Sequence, residues 1–352
     1  MQTKVRYSTW EMLHWTRWET IGFFVFSTIA VLLYDILELT FLHVPWTPVA
    51  LIGTAVAFMV GFQNNAAYGR IWEARKIWGG IVNTSRTWGM KTKDMVTNEH
   101  ASIPVAEKEL QEHRRVLVYR HIAWLTSLRH AMRQTKKWEA FELHRTNREW
   151  SKMIHIPEKV FSLEDDLFHY LEPEEWNYIL SKKNRAAATL YLQSKHLREL
   201  KEQGLVWEFA FLELENVLEE LFTLQGKSER IKNFPYPRQY ATLSHLFVWI
   251  FLILLPFGIV PEFAKISENI FANTSLGWCF TYLAIPFCTI VSWVFHTMQR
   301  IGTVGENPFE GSANDVPIST IARGIEIDLR QLLDEDHKII PKQFPEEYNV
   351  QM

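Results

Sequence analysis

Charged residues are absent from three long stretches of the chain. No Asp, Glu, Lys or Arg occurs between Glu38 and Arg70, between Arg238 and Glu262, or between Glu268 and Arg300. Each gap exceeds the ~20 residues a helix needs to cross a bilayer. A fourth apolar stretch, from Ile21 to Tyr34, ends at Asp35 and Glu38, which stand one turn apart. It predicts a span whose carboxylates either cap it at the interface or serve as ion vestibule charges, since carboxylates inside a membrane are costly. The spans pair as two near the start and two near the end, with a long polar middle between Gln63 and Arg238. An even number on each side returns the chain, so the N-terminus, the middle and the C-terminus share one compartment. Arg6, Arg17, Arg70, Arg75, Lys76, Lys232, Arg238 and Arg300 flank the spans on that side, whereas the opposite loops carry only Lys265. The positive-inside rule therefore places the middle in the cytoplasm.

The middle reads as helix throughout. Leu110 to Lys137 and Glu174 to Gln203 carry apolar residues at three- and four-residue spacing, as do Trp207, Phe211, Leu214, Val217, Leu218 and Leu221. Pro157, Pro173, Gly204 and Gly226 are expected to punctuate these segments. After the last span, a loop leads into a helix with Ile318, Ile321, Ile325 and Leu329 on one face. Asn314 or Asp315 is expected to cap it, with Pro317 in its first turn. The tail beyond Pro341 reads as an extended or mobile arm, and Pro256 and Pro286 as kinks in the last two spans.

The second span carries two overlapping stripes. Gly53, Ala57 and Gly61 share one helical face, and Thr54, Phe58 and Phe62 share the face about 100° further round. Small residues let helices approach closely in a membrane, so the smooth face predicts packing and leaves the aromatic face to meet lipid, protein or a pore. On periodicity alone, packing is the commoner role for such rings.

Composition narrows the chemistry. The chain has 352 residues and a net charge of −3, and no basic block interleaved with aromatics forms a nucleic-acid groove. The start lacks the basic, apolar and small-residue order of a signal peptide, so no segment is expected to be removed. The two cysteines, Cys279 and Cys288, are expected in the last span on opposite faces and unable to bridge. Thirteen histidines lack zinc-motif spacing and read as surface or interface residues; no metal site and no cofactor are expected. No phosphate loop, nucleophile elbow or Cys/His pairing supports an enzyme. The acidic runs at 164–166 and 334–336 read as solvated faces. Asn83-Thr84-Ser85 and Asn273-Thr274-Ser275 match the glycosylation pattern by chance.

Three motifs set this background in a family context. The run from Gly61 to Gly79 contains Asn64, Asn65, Tyr68, Arg70, Trp72, Glu73, Arg75 and Trp78. Asn233-Phe234-Pro235-Tyr236-Pro237 follows the middle, and Asn307-Pro308-Phe309 precedes Asn314-Asp315-Val316-Pro317. Together these resemble the bestrophin family of ion channels, most closely its bacterial members, over nearly the whole chain. The resemblance implies an all-α, polytopic membrane protein with four transmembrane helices per subunit and a helical cytoplasmic region, assembled as a pentamer around a central pore. It implies a pore neck of Thr54, Phe58 and Phe62, carried over by the matching Gly-Phe, and a cytoplasmic constriction at Phe234.

The expected organisation is a cytoplasmic N-terminal segment (1–20), transmembrane helices 1 and 2 with the neck (21–75), a helical cytoplasmic region (76–238), transmembrane helices 3 and 4 (239–300), and a cytoplasmic helix and tail (301–352). The cell (inner) membrane is the expected location. Partners are other copies of the chain, lipid and permeant monovalent ions, chloride foremost; nucleic acid is not expected. A cation-selective (Na/K) channel and a membrane-anchored scaffold without conduction are the alternatives. Where animal members carry a run of Asp and Glu, this chain has Glu310-Gly311-Ser312-Ala313-Asn314-Asp315, so calcium gating is not expected.

Overall fold

The computed structural model describes residues 1–270 and 277–352, and no strand forms among them. The chain opens with α1 (Thr9–Trp15) and α2 (Arg17–Asp35). Helix α3 (Trp46–Met95) runs unbroken for 50 residues, which is ~75 Å at 1.5 Å per residue. The middle continues with α4 (Glu107–Arg133), α5 (Arg145–Ser151), α6 (Pro157–Val160), α7 (Leu163–Phe168), α8 (Pro173–Leu180), α9 (Arg185–Glu202) and α10 (Glu208–Asn233). Helices α11 (Arg238–Ile270), α12 (Gly277–Phe280), α13 (Ala284–Gly305) and α14 (Ile318–Leu332) follow. By length and composition α2, the first part of α3, α11 and α13 are apolar enough to cross a membrane.

Two cores share α3 as their spine. In the first, Val49, Val56 and Val60 of α3 pack against Phe23 and Val31 of α2, Phe251, Leu252 and Leu255 of α11, and Cys288 of α13. Gly53 is required there: a Cβ on it would stand 2.7 Å from the Phe251 ring. In the second, Trp78, Ile81 and Trp88 of α3 pack against α4, α9, α10 and α14. No proline interrupts α3 beyond Pro48, so the helix runs straight from the first apolar core into the second across residues 75 and 76.

Several local expectations are corrected. Helix α4 ends at Arg133, and the Glu174–Gln203 segment divides into α8 and α9, where Asn184 caps α9 by accepting from the Ala187 N–H at 3.0 Å. Gly226 lies inside α10 rather than ending a helix. Pro256 is inside α11, but Pro286 is the third residue of α13, where a missing N–H costs nothing. Cys279 belongs to α12, before the last span. His121 is fully buried between Trp88 and Trp124 instead of at a surface. Asn273, Thr274 and Ser275 lie outside the described residues.

The tail beyond Pro341 is docked. Gln2 and Val350 form a β-bridge, the Thr3 N–H donates to the Asn349 carbonyl at 2.9 Å, and Val350 and Met352 are buried against Ile154 and Ile156. The Met352 carbonyl also accepts from the Thr320 N–H in the first turn of α14. Helix α14 thus begins after Pro317 and takes no side-chain cap from Asn314 or Asp315.

Candidate functional site

The packed face of α3 follows Val49, Gly53, Val56, Val60, Gln63 and Ala67. At 100° per residue, Thr54, Phe58 and Phe62 lie on the side of the helix roughly 180° from the centre of that face. Phe58 is 66% exposed and Phe62 73%. Thr54 Oγ1 donates to the Ala50 carbonyl of its own helix at 3.0 Å. Of the smooth stripe, only Gly53 packs within the protomer; Ala57 and Gly61 are exposed beside the rings. They line an open apolar groove that also meets Phe251, Phe287 and Phe295.

A buried polar chain lies behind this face. Gln63, next to Phe62, accepts from Ser244 Oγ of α11 at 2.6 Å and donates to Glu306 Oε1 at 2.7 Å. Seven residues, or about two turns, later on the same face, Arg70 Nε donates to the Glu306 carbonyl at 2.7 Å. Arg70 Nη2 donates to the carbonyls of Ile231 (3.2 Å) and Phe234 (2.8 Å) at the end of α10. The Arg238 guanidinium stands 3.9 Å from the second Glu306 oxygen. Burial pushes the Glu306 carboxyl above the ordinary range, against the opposing pull of the Gln63 bond and the two arginines.

Phe234 is the C-cap of α10, with an extended backbone that suits the residue before a proline, and its ring is 63% exposed. Glu73 of α3 accepts from Arg230 at 3.0 Å one turn before it. The other motif residues divide by burial. Asn65, Tyr68, Trp72 and Arg75 are exposed, with Tyr68 and Trp72 stacked at 6.3 Å. Trp78 is fully buried and packs on Phe309 at 6.3 Å. Asn64 is half-buried against Gly302, where a Cβ would stand 2.3 Å from its Oδ1.

The loop after α13 is built around Asp315. Its carboxylate accepts the N–H groups of Phe309 (2.9 Å), Gly311 (2.8 Å) and Val316 (2.7 Å), and Arg133 Nη1 donates to it at 3.2 Å. This closes a turn in which Phe309 takes φ +75° and Gly311 φ +90°. Asn314 accepts from the Tyr7 hydroxyl at 3.2 Å, and Asn307 and Pro308 are buried. Glu310 turns inward and accepts the Phe141 N–H at 3.1 Å; burial, with Glu139 close by, pushes its carboxyl up to about 8. Among the described residues no three His, Cys, Asp or Glu side chains are grouped so as to hold a metal ion.

Sequence patterns assign no role to Gln63, Glu306 or Arg133, and they mark Arg300 only as a charge flanking the last span. The signal for the first was present: Gln63 and Arg70, seven apart, form a polar line on the packed face of an otherwise apolar helix. Arg300 is fully buried and joins the Trp15 carbonyl (3.0 Å), Glu19 (3.1 Å), Thr146 and Asn147. Its guanidinium also sits 4.1 Å from the Trp15 ring.

The family described as Bacterial/Fungal Bestrophin protein matches residues 11–331. A voltage-dependent anion channel-forming protein of Ralstonia nicotianae is 27% identical over 302 residues, covering 83% of this chain and 82% of its own. The voltage-dependent anion channel-forming protein YneE of Escherichia coli is 26% identical over 298 residues, covering 84% and 80%. A crystal structure of a bacterial bestrophin homologue from Klebsiella pneumoniae superposes with a TM-score of 0.70 at 24% identity, covering 91% of this chain and 98% of that one.

Proposed function

The chain belongs to the bacterial and fungal bestrophin family, a membrane protein family, and on that premise we propose that it is an anion channel in which five copies surround a pore. The observation that carries the reading is the exposed aromatic face: Phe58 and Phe62 lie opposite the packed side of α3. In a ring of copies, that face forms the neck together with Thr54. A protomer with four spans and no internal repeat needs symmetry-related copies to enclose an axis.

Stacked rings of Phe make a constriction that conducts when wet and closes by dewetting. Ions crossing it lose part of their hydration between ring edges, whose positive quadrupole favours anions. The relatives from Ralstonia nicotianae and Escherichia coli, named as voltage-dependent anion channel-forming proteins, support the same choice, with chloride the leading permeant ion. Phe234 forms the second constriction, where the permeating ion meets a narrower opening on the cytoplasmic side.

The polar middle, both ends of the chain and the constriction at Phe234 lie in the cytoplasm, and the spans lie in the inner membrane; the distribution of flanking Lys and Arg supports this orientation. Calcium has no part in opening, because Asp315 spends its oxygens on three backbone N–H groups and Arg133. Chloride efflux from vesicles loaded with purified protein tests the proposal. Efflux above that of empty vesicles is expected; efflux equal to theirs would leave the spans as a mere anchor.

A further inference from the structure

Phe62 and Phe234 lie in segments far apart in sequence, yet one line of hydrogen bonds, buried at its Gln63–Glu306 link, joins their backbones. It runs from Phe62 to its neighbour Gln63, through the Gln63 amide to Glu306, and from the Glu306 carbonyl to Arg70, which holds Phe234. Gln63 and Glu306 are 3% and 1% exposed, so water does not compete for the bond between them; Arg70 is half-buried, and its bond to the Phe234 carbonyl lies at the protomer surface.

Arg70 occupies a particular place in this line. The last carbonyls of a helix have no partner within it, and a cation there is favoured by the helix dipole. Arg70 Nη2 takes two of these carbonyls at the end of α10, while Nε reaches a third carbonyl beyond α13. The Phe234 N–H is already used, donating to the Arg230 carbonyl at 3.1 Å, and Pro235 has no N–H to give. The carbonyl of Phe234 is therefore the handle by which its backbone is fixed. A planar fork can hold carbonyls on two segments at once, which a lysine ammonium on a flexible stem cannot reproduce.

We propose that Arg70 is a specificity-positioning residue: it sets where the Phe234 ring stands and, through Glu306 and Gln63, ties that constriction to the Phe62 turn of α3. The proposal rests on the pore reading above. It explains why an arginine that does not face the aromatic stripe sits in a span-end motif, and why the amide beside Phe62 is buried in bonds.

The test is the nitrate-to-chloride permeability ratio of the full chain in planar bilayers, from bi-ionic reversal potentials. Native protein, Arg70→Lys, Phe234→Ala and the double variant are compared. Arg70→Lys is expected to shift the ratio in the direction of Phe234→Ala by about half as much or more on a logarithmic scale, and the double variant to match Phe234→Ala, the non-additivity of coupled sites. An unchanged ratio in Arg70→Lys, or additive shifts, would overturn it. If Arg70→Lys does not assemble, Gln63→Met cuts the line at its other end. Phe62→Ala and Phe234→Ala are then expected to be non-additive in the permeability ratio in the native background and additive with Gln63→Met; additivity in both backgrounds would overturn it. Absence of native current would bring down the pore reading itself and the proposal with it, whereas native current with independent sites would remove the proposal alone.

Discussion

Phe62 and Gln63 are consecutive residues of α3, about 100° apart around the helix, that serve different faces of it. The ring of the first is 73% exposed, while the amide of the second is buried and bonded to Glu306 at 2.7 Å. One peptide unit therefore separates the surface proposed to meet ions from the surface that fixes α3 to the rest of the protomer. Rings mounted on a backbone held this way are positioned by the fold rather than by their own contacts.

Thr54, Phe58 and Phe62 form the proposed neck. Phe58→Ala combined with Phe62→Ala widens and wets it, and open probability should rise on the order of tenfold, or about 1.4 kcal/mol in the opening equilibrium. Discrimination among ions should weaken while the oligomer stays intact by size-exclusion chromatography. Unchanged single-channel currents from an assembled variant would contradict the gate.

Phe234→Ala should act differently. Its ring stands at the end of α10 rather than on α3, so the variant should alter permeability ratios among anions more than it alters open probability. Equal effects on both quantities would argue that the two constrictions are not distinct.

Calcium should leave the channel indifferent. Currents recorded with a chelator and with millimolar calcium are expected to coincide, since the Asp315 carboxylate is committed to the turn it closes. Steep activation by micromolar calcium would contradict this assignment.

How far these features could be read from the sequence depends on the range of the interactions involved. The spans and the Thr54, Phe58 and Phe62 stripe are local patterns, visible because charge gaps and helical periodicity need no tertiary information. The partner of Gln63 is 243 residues away at Glu306, and nothing in local spacing points to it. Asp315 has the residue type and the position of a helix cap, but the Met352 carbonyl satisfies a donor of that first turn, and the carboxylate turns back into the loop instead. His121 reads as polar in the sequence; only the assembly of Trp88 and Trp124 around it makes it a core residue.

Arg300→Ala should be strongly destabilising. The guanidinium is fully buried and carries Glu19 as its counter-charge, and removing one partner of such a pair costs about 3–5 kcal/mol. The melting temperature in detergent should fall clearly, and Arg300→Ala with Glu19→Gln should lose less than the two single losses added. Additive losses would show that the pair is not coupled.

Glu310 should give the loop a characteristic pH dependence. Its carboxyl is held near 8 when folded, against 4.5 for the free group, so between these values the folded state binds the extra proton. Stability then falls as pH rises through that window, on the order of 1 kcal/mol per pH unit. Glu310→Gln removes this slope in thermal melts taken from pH 5 to about pH 8; an unaltered slope would assign it to other groups.

The most direct test of the account is the reversal potential of the purified protein in a planar bilayer under an asymmetric chloride salt gradient. The account predicts a shift towards the chloride equilibrium potential, and a shift towards the cation potential would contradict it.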